Sequence, residues 1–99
     1  MSPPVEFTIP HHHPALAGHF PGRPIVPGVV VLDEVLALLA RIEPARRVSG
    51  IVGAKFTGIL APGEACRVEF EPRADGGLRF ACVAAGRPIA SGLLALFPP

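Results

Sequence analysis

Only one stretch of this 99-residue chain can be a helix of any length. Thirteen prolines and eleven glycines punctuate the sequence, and each proline removes a backbone donor and fixes φ. Between Pro27-Gly28 and Glu43-Pro44 lies Val29 to Ile42, VVVLDEVLALLARI, free of both residues. Pro27-Gly28 marks a helix start, and the residue before Pro44 is pushed out of the α region. Leu36 to Ala40 favours helix, while the β-branched Val29-Val30-Val31 start is weaker in propensity. The run is apolar nearly all round, so the expectation is a helix buried on most sides.

The remaining elements read as strands. Val5 to Ile9 alternates. Arg47 to Leu60 is long and interrupted by glycine, Glu64 to Glu71 alternates, and Leu78 to Ala85 and Pro88 to Phe97 follow. Pro62-Gly63, Asp75-Gly76-Gly77 and Gly86-Arg87 are turn signals between them. The order is one strand, a loop, one long helix and four antiparallel strands. That predicts an α+β domain spanning residues 1–99, a sheet wrapped against one apolar helix. Residues 10–28 contain five prolines and three glycines, yet Phe20, Ile25 and Val26 give them apolar anchors. This segment reads as an ordered loop, the kind of element that often carries function.

Composition excludes several functions. Nine basic and eight acidic residues leave a net charge of +1, with no basic run and neither Trp nor Tyr, so nothing favours nucleic acid. The apolar segment around the helix is too short and too charged to span a membrane. The N-terminus shows no cationic and apolar leader pattern. Cys66 and Cys82 stand in no metal-binding spacing and both lie in apolar runs, which predicts buried free thiols and a reducing, cytoplasmic setting. With 49% hydrophobic residues, some apolar surface is expected to face a partner subunit or a ligand.

Four features could carry chemistry. Asp33 is a carboxylate in mid-helix with apolar neighbours on both sides, and is costly to bury unpaired. Glu34 points about 100° away. The plain alternative is one acidic stripe on a solvated face, with Glu34 and Arg41 on it. His19, between Gly18 and Phe20-Pro21-Gly22, sits in a constrained loop where its pKa can be set near neutrality for acid-base work. A structural or exposed loop histidine is the alternative. His11, His12 and His13 suggest a metal at first sight, but on an extended chain only His11 and His13 could share one ion, and no cysteine or carboxylate nearby completes a site. Gly28 opens the helix, so its N–H and that of Val29 lack helical acceptors at the positive end of the dipole. Such donors can polarise a carbonyl, although the glycine could serve only the turn.

These residues fall into one pattern. His13-Pro14-Ala15-Leu16-Ala17-Gly18-His19-Phe20-Pro21-Gly22-Arg23-Pro24-Ile25-Val26-Pro27-Gly28-Val29, followed by an acid on the helix, resembles the signature of 3-hydroxyacyl-[acyl-carrier-protein] dehydratases of the FabA/FabZ type. Gly53-Ala54-Lys55-Phe56 and Leu60-Ala61-Pro62-Gly63-Glu64 are similar to that family's strand and turn after the helix. The likeness covers about residues 10–97, and the short length resembles forms from specialised lipid or aryl-polyene pathways. It implies a hotdog fold, a sheet wrapped around a central helix, and a homodimer with active sites at the interface. It also implies His19 and Asp33 as the catalytic pair, and Gly28, Val29, Phe20 and Pro27 around the substrate. The implied reaction dehydrates a 3-hydroxyacyl thioester on acyl carrier protein without metal or organic cofactor. Arg23, Arg46, Arg47 and Lys55 are candidates for a basic rim that receives the acidic carrier. One position departs: the family's Gln one turn after the acid is Ala37 here. A non-catalytic acyl-binding subunit and a hotdog thioesterase are the competing readings.

Overall fold

The computed structural model describes residues 5–13 and 25–98. The element order is β1 (Val5–Phe7), α1 (Gly28–Ile42), β2 (Val48–Phe56), β3 (Cys66–Pro72), β4 (Leu78–Ala84) and β5 (Arg87–Leu96). This is the order expected from the punctuation, with corrected bounds. The helix gains Gly28. The strand expected to reach Leu60 ends at Phe56, because Thr57 and Gly58 both turn their N–H groups to the Ile89 carbonyl, at 2.9 and 3.2 Å. The β3 strand begins at Cys66 rather than Glu64, because Glu64 closes a turn back to the Ala61 carbonyl.

All five strands form one antiparallel sheet in the order β1-β3-β4-β5-β2. The β3, β4 and β5 strands put Val68, Phe70, Leu78, Phe80, Cys82, Ile89 and Leu94 inside. The helix faces them with Val30, Val31, Val35, Leu38 and Leu39, at the 3.6-residue spacing of a single stripe. Each such side chain contributes about 1.5–3 kcal/mol on burial, which outweighs the weak helix propensity of the valine run. Cys66 and Cys82 are free and buried, as expected. The hydrogen bond to Cys66, with burial second, pushes the Cys82 thiol pKa up.

One side of the helix is left uncovered. Val29 is 64% exposed, and Asp33, Ala37, Ala40 and Arg41 are exposed with it. At spacings of four and three these residues make one continuous open face. The sheet has a matching open margin. Its β1 edge is three residues long, whereas the β2 edge is nine. Ile51 is 44%, Val52 66% and Phe56 50% exposed along β2. A long apolar edge strand is a liability unless something pairs with it.

Candidate active site at the helix N-terminus

The helix begins without a side-chain cap. Pro27 is its N-cap residue, extended at φ −61° and ψ 146°, and its carbonyl accepts the N–H groups of Val30 at 3.0 Å and Val31 at 3.3 Å. The N–H groups of Gly28 and Val29 precede any helical acceptor, so they present donors at the positive end of the dipole. Asp33 is five residues further on, about 7.5 Å along the axis. It shares the open face with Val29 and Ala37.

Two neighbours hold this end in place. The Val26 N–H donates to the Leu60 carbonyl at 2.9 Å, and both residues are buried. The Phe56 ring packs on Gly28, where a Cβ would lie 3.0 Å from two ring carbons. Ile25 to Val31, Phe56, Gly58, Ile59, Leu60 and Ile89 enclose a cleft of about 550 Å³. Ile59 is 61% exposed at its mouth. The cleft is apolar and ends on backbone donors, which suits an acyl chain with a polar carbonyl.

The expected site residues divide into three groups. Gly28, Val29 and Pro27 line the cleft together. Asp33 lies two residues beyond Val31, the last helix residue of the lining, and is exposed in the single chain, while Glu34 is half-buried. Of the two acids it is thus Asp33 that faces outward, and the cost of burying it unpaired does not arise in the single chain: its neighbours Leu32 and Glu34 lie on other faces of the helix. Among the described residues nothing hydrogen-bonds or pairs with the Asp33 carboxylate, and Ala37, one turn on, has no group to offer. His19, Phe20 and Arg23 lie outside the described residues. No group of three histidine, cysteine, aspartate or glutamate side chains converges among the described residues. Phe56 has no role that the sequence pattern assigns. Its signal, an aromatic closing a strand opposite a helix-opening glycine, exists only once the two are in contact.

The described rim cations, Arg46, Arg47 and Lys55, are not together in one chain. Arg46 pairs with Glu43 at 2.9 Å, and Arg47 stacks on Phe97 at 5.3 Å from the ring centroid. Both follow the helix C-terminus, about 22 Å from Gly28 by helix rise. There they flank a second cleft of about 950 Å³ walled by Val52, Leu93 to Pro98 and Glu43 to Arg46. Among the described residues, none of the expected catalytic or substrate-binding residues lines that cleft. Lys55 adjoins Phe56 but projects from the opposite face of β2.

One helix laid on a five-stranded antiparallel sheet defines this as a hotdog-fold protein. The dehydratase heterocomplex ApeI:P from Xenorhabdus doucetiae superposes with a TM-score of 0.80 at 23% identity, covering 96% of this chain and 86% of that one. The fluoroacetyl-CoA-specific thioesterase FlK shares the fold at a TM-score of 0.57 and 19% identity, over 97% of this chain and 88% of that one. The sequence matches the ApeI-like family, described as ApeI dehydratase, over residues 2–93. The chain belongs to the ApeI-like family. It is also similar to the 3-hydroxyacyl-[acyl-carrier-protein] dehydratase FabZ of Chloroflexus aggregans, 35% identical over 74 residues, 67% of this chain and 51% of that protein. The Myxococcus xanthus FabZ is 34% identical over 70 residues, 61% of this chain and 46% of that protein. The chain thus spans about half the length of these relatives.

Proposed function

We propose that this protein dehydrates a 3-hydroxyacyl thioester, carried on acyl carrier protein, to the trans-2-enoyl thioester in the cytoplasm. The observation that carries the proposal is the open helix face. It carries Val29 and Asp33 one turn apart, next to the helix N-terminus where the Gly28 and Val29 N–H groups have no helical acceptor, beside an apolar cleft, in a chain of a dehydratase family. The N–H groups hold the thioester carbonyl as negative charge builds on it, which acidifies C2. His19 takes the C2 proton, the C2–C3 double bond forms, and the C3–O bond breaks. Asp33 delivers a proton to the departing hydroxyl, so one water leaves and no cofactor takes part.

The working unit in this proposal is a homodimer. Antiparallel pairing of two β2 strands about a two-fold axis makes one ten-stranded sheet and removes the exposed edge. It sets the Phe56 end of one copy near the Val48 end of the other, and so the smaller cleft of one beside the larger cleft of its partner. Arg46 and Arg47 of the second copy then flank the entrance, where an acidic carrier would dock. His19 of one copy meets Asp33 of the other, and the open helix face is covered. The Xenorhabdus structure is a heterocomplex, so a different hotdog chain in place of the second copy is a defined outcome of the assembly test.

Incubation with a 3-hydroxyacyl carrier thioester tests the reading through the conjugated enoyl absorbance. His19→Ala and Asp33→Asn each abolish it, and Glu34→Gln leaves it nearly unchanged. Mixing the two inactive variants with subunit exchange restores about a quarter of it, because half the dimers are mixed and each holds one intact site of two. Proven exchange with no recovery removes the shared site. Release of free acid in place of enoyl product favours the thioesterase reading. Binding without turnover favours the acyl-binding subunit, which the empty position at Ala37 beside Asp33 supports.

A further inference from the structure

We propose that Arg87 is a positioning residue for the helix N-terminal site, acting from the opposite side of the loop that carries it; this rests on the reading that the Gly28 end is where the thioester binds. Arg87 opens β5 directly after a two-residue turn in which Ala85 has φ 49° and Gly86 φ 76°. Its guanidinium then makes three bonds to the segment between β2 and β3. Nη1 donates to Glu64 Oε2 at 2.9 Å, and Nη2 donates to Glu64 Oε1 at 2.9 Å and to the Ile59 carbonyl at 3.0 Å. Glu64 Oε1 also accepts the Ala61 N–H at 3.2 Å. One planar group therefore ties both ends of residues 59–64.

The residue between those ties is the one that matters for the site. Leu60 is 1% exposed, and its carbonyl accepts the Val26 N–H at 2.9 Å. Val26 is two residues before Gly28, with only the φ-restricted Pro27 between them. The placement of the Gly28 and Val29 donors thus follows from where Leu60 is held. Gly58 shows how closely the loop fits the start of β5, since a Cβ there would meet the Pro88 carbonyl at 2.4 Å. Arg87 and Glu64 side chains are 48% and 24% exposed. A partly exposed pair is screened by solvent, so even in bidentate geometry its contribution to global stability is modest, and the three-pronged grip acts first on the position of residues 59–64. Lysine offers a point charge and cannot reproduce a bidentate grip together with a carbonyl bond.

The experiment compares the intact protein with Arg87→Ala and Arg87→Lys by site-resolved hydrogen exchange and by kinetics. In Arg87→Ala the Val26 amide exchanges at least about 10-fold faster while the Phe70 and Phe80 amides keep their protection. Turnover, kcat, falls between about 10- and 100-fold with KM nearly constant, as expected when carbonyl donors are displaced by a fraction of an ångström to 1 Å. Arg87→Lys falls between the two in both readouts. Unchanged Val26 exchange, or equal acceleration across the sheet, overturns the proposal. If the wild-type protein dehydrates nothing and Val26 still loosens in Arg87→Ala, the positioning link stands and the catalytic reading of this end falls.

Discussion

Phe56 lies so close to Gly28 that a Cβ on the glycine would stand 3.0 Å from two of its ring carbons. The strand after the helix thus sets the approach to the helix's first donors, although 28 positions separate the two residues. The contact also explains why the helix can begin on a poor helix former: only a residue without a side chain leaves the ring in place.

Gly28→Ala is the direct test of this contact. Phe56 is half exposed, so its ring can swing outward and the variant folds. Alanine gains up to about 1 kcal/mol in helix propensity, which offsets the lost packing. Thermal unfolding should shift little, while dehydration falls sharply because the added methyl and the displaced ring reshape the cleft wall beside the Gly28 and Val29 donors. Phe56→Leu in the same chain should restore part of the activity. If Gly28→Ala alone is fully active, the ring does not shape the substrate path.

The β2 edge sets the assembly. Val52, 66% exposed midway along that strand, is the position where a charge is most disruptive to pairing. Light scattering should give twice the 10.3 kDa chain mass for the wild type and the single-chain mass for Val52→Lys. A stable wild-type monomer in dilute solution rules out the homodimer and turns attention to a different hotdog partner.

Ala85 carries a left-handed φ of 49°, a conformation that costs a residue with a Cβ roughly 1 kcal/mol or more. Replacing it with asparagine creates Asn-Gly, the favoured pair for a two-residue hairpin turn. Ala85→Asn should therefore stabilise the protein by about 1 kcal/mol, raising Tm by roughly 4–8 °C for a domain of this size. An unchanged or lower Tm in calorimetry refutes the assignment of strain to this turn.

Acid should weaken the fold below the ordinary carboxylate range. The hydrogen bonds from Arg87, and next the Ala61 N–H, hold the Glu64 carboxyl below its usual pKa. The Gly77 N–H, and next Arg73, do the same for Asp75. A pKa lower in the folded than in the unfolded state stabilises the folded protein above the unfolded value. That contribution is lost as pH falls through the folded value. Urea midpoints should be level from neutral pH down to about 5 and decline below about 4. Glu64→Gln should flatten part of that decline, and an identical acid profile in the variant removes Glu64 from the account.

The positions of the site residues were only partly legible in the chain. The loop motif, the helix window and Asp33 could be read from residues and spacing, as could Gly28 at the helix start. The exposure of Asp33 could not, because its sequence neighbours Leu32 and Glu34 point to other faces of the helix and say nothing about what covers its own. The meeting of Arg87 with Glu64 was equally hidden. Each follows a turn signal, but no local rule links residues 23 positions apart.

By itself the sequence determined one helix, five strands, the hairpin turns and the candidates for the chemistry-bearing residues. Proline, glycine and apolar periodicity act on the backbone within a few residues, so their consequences can be read in order along the chain. Only the tertiary structure decided that β1 pairs with β3, that β2 lies at the margin with its apolar residues open, and that one helix face is bare. Those outcomes depend on which strands find each other across the sheet and how much surface one copy can cover, a competition among long-range contacts that no local pattern records.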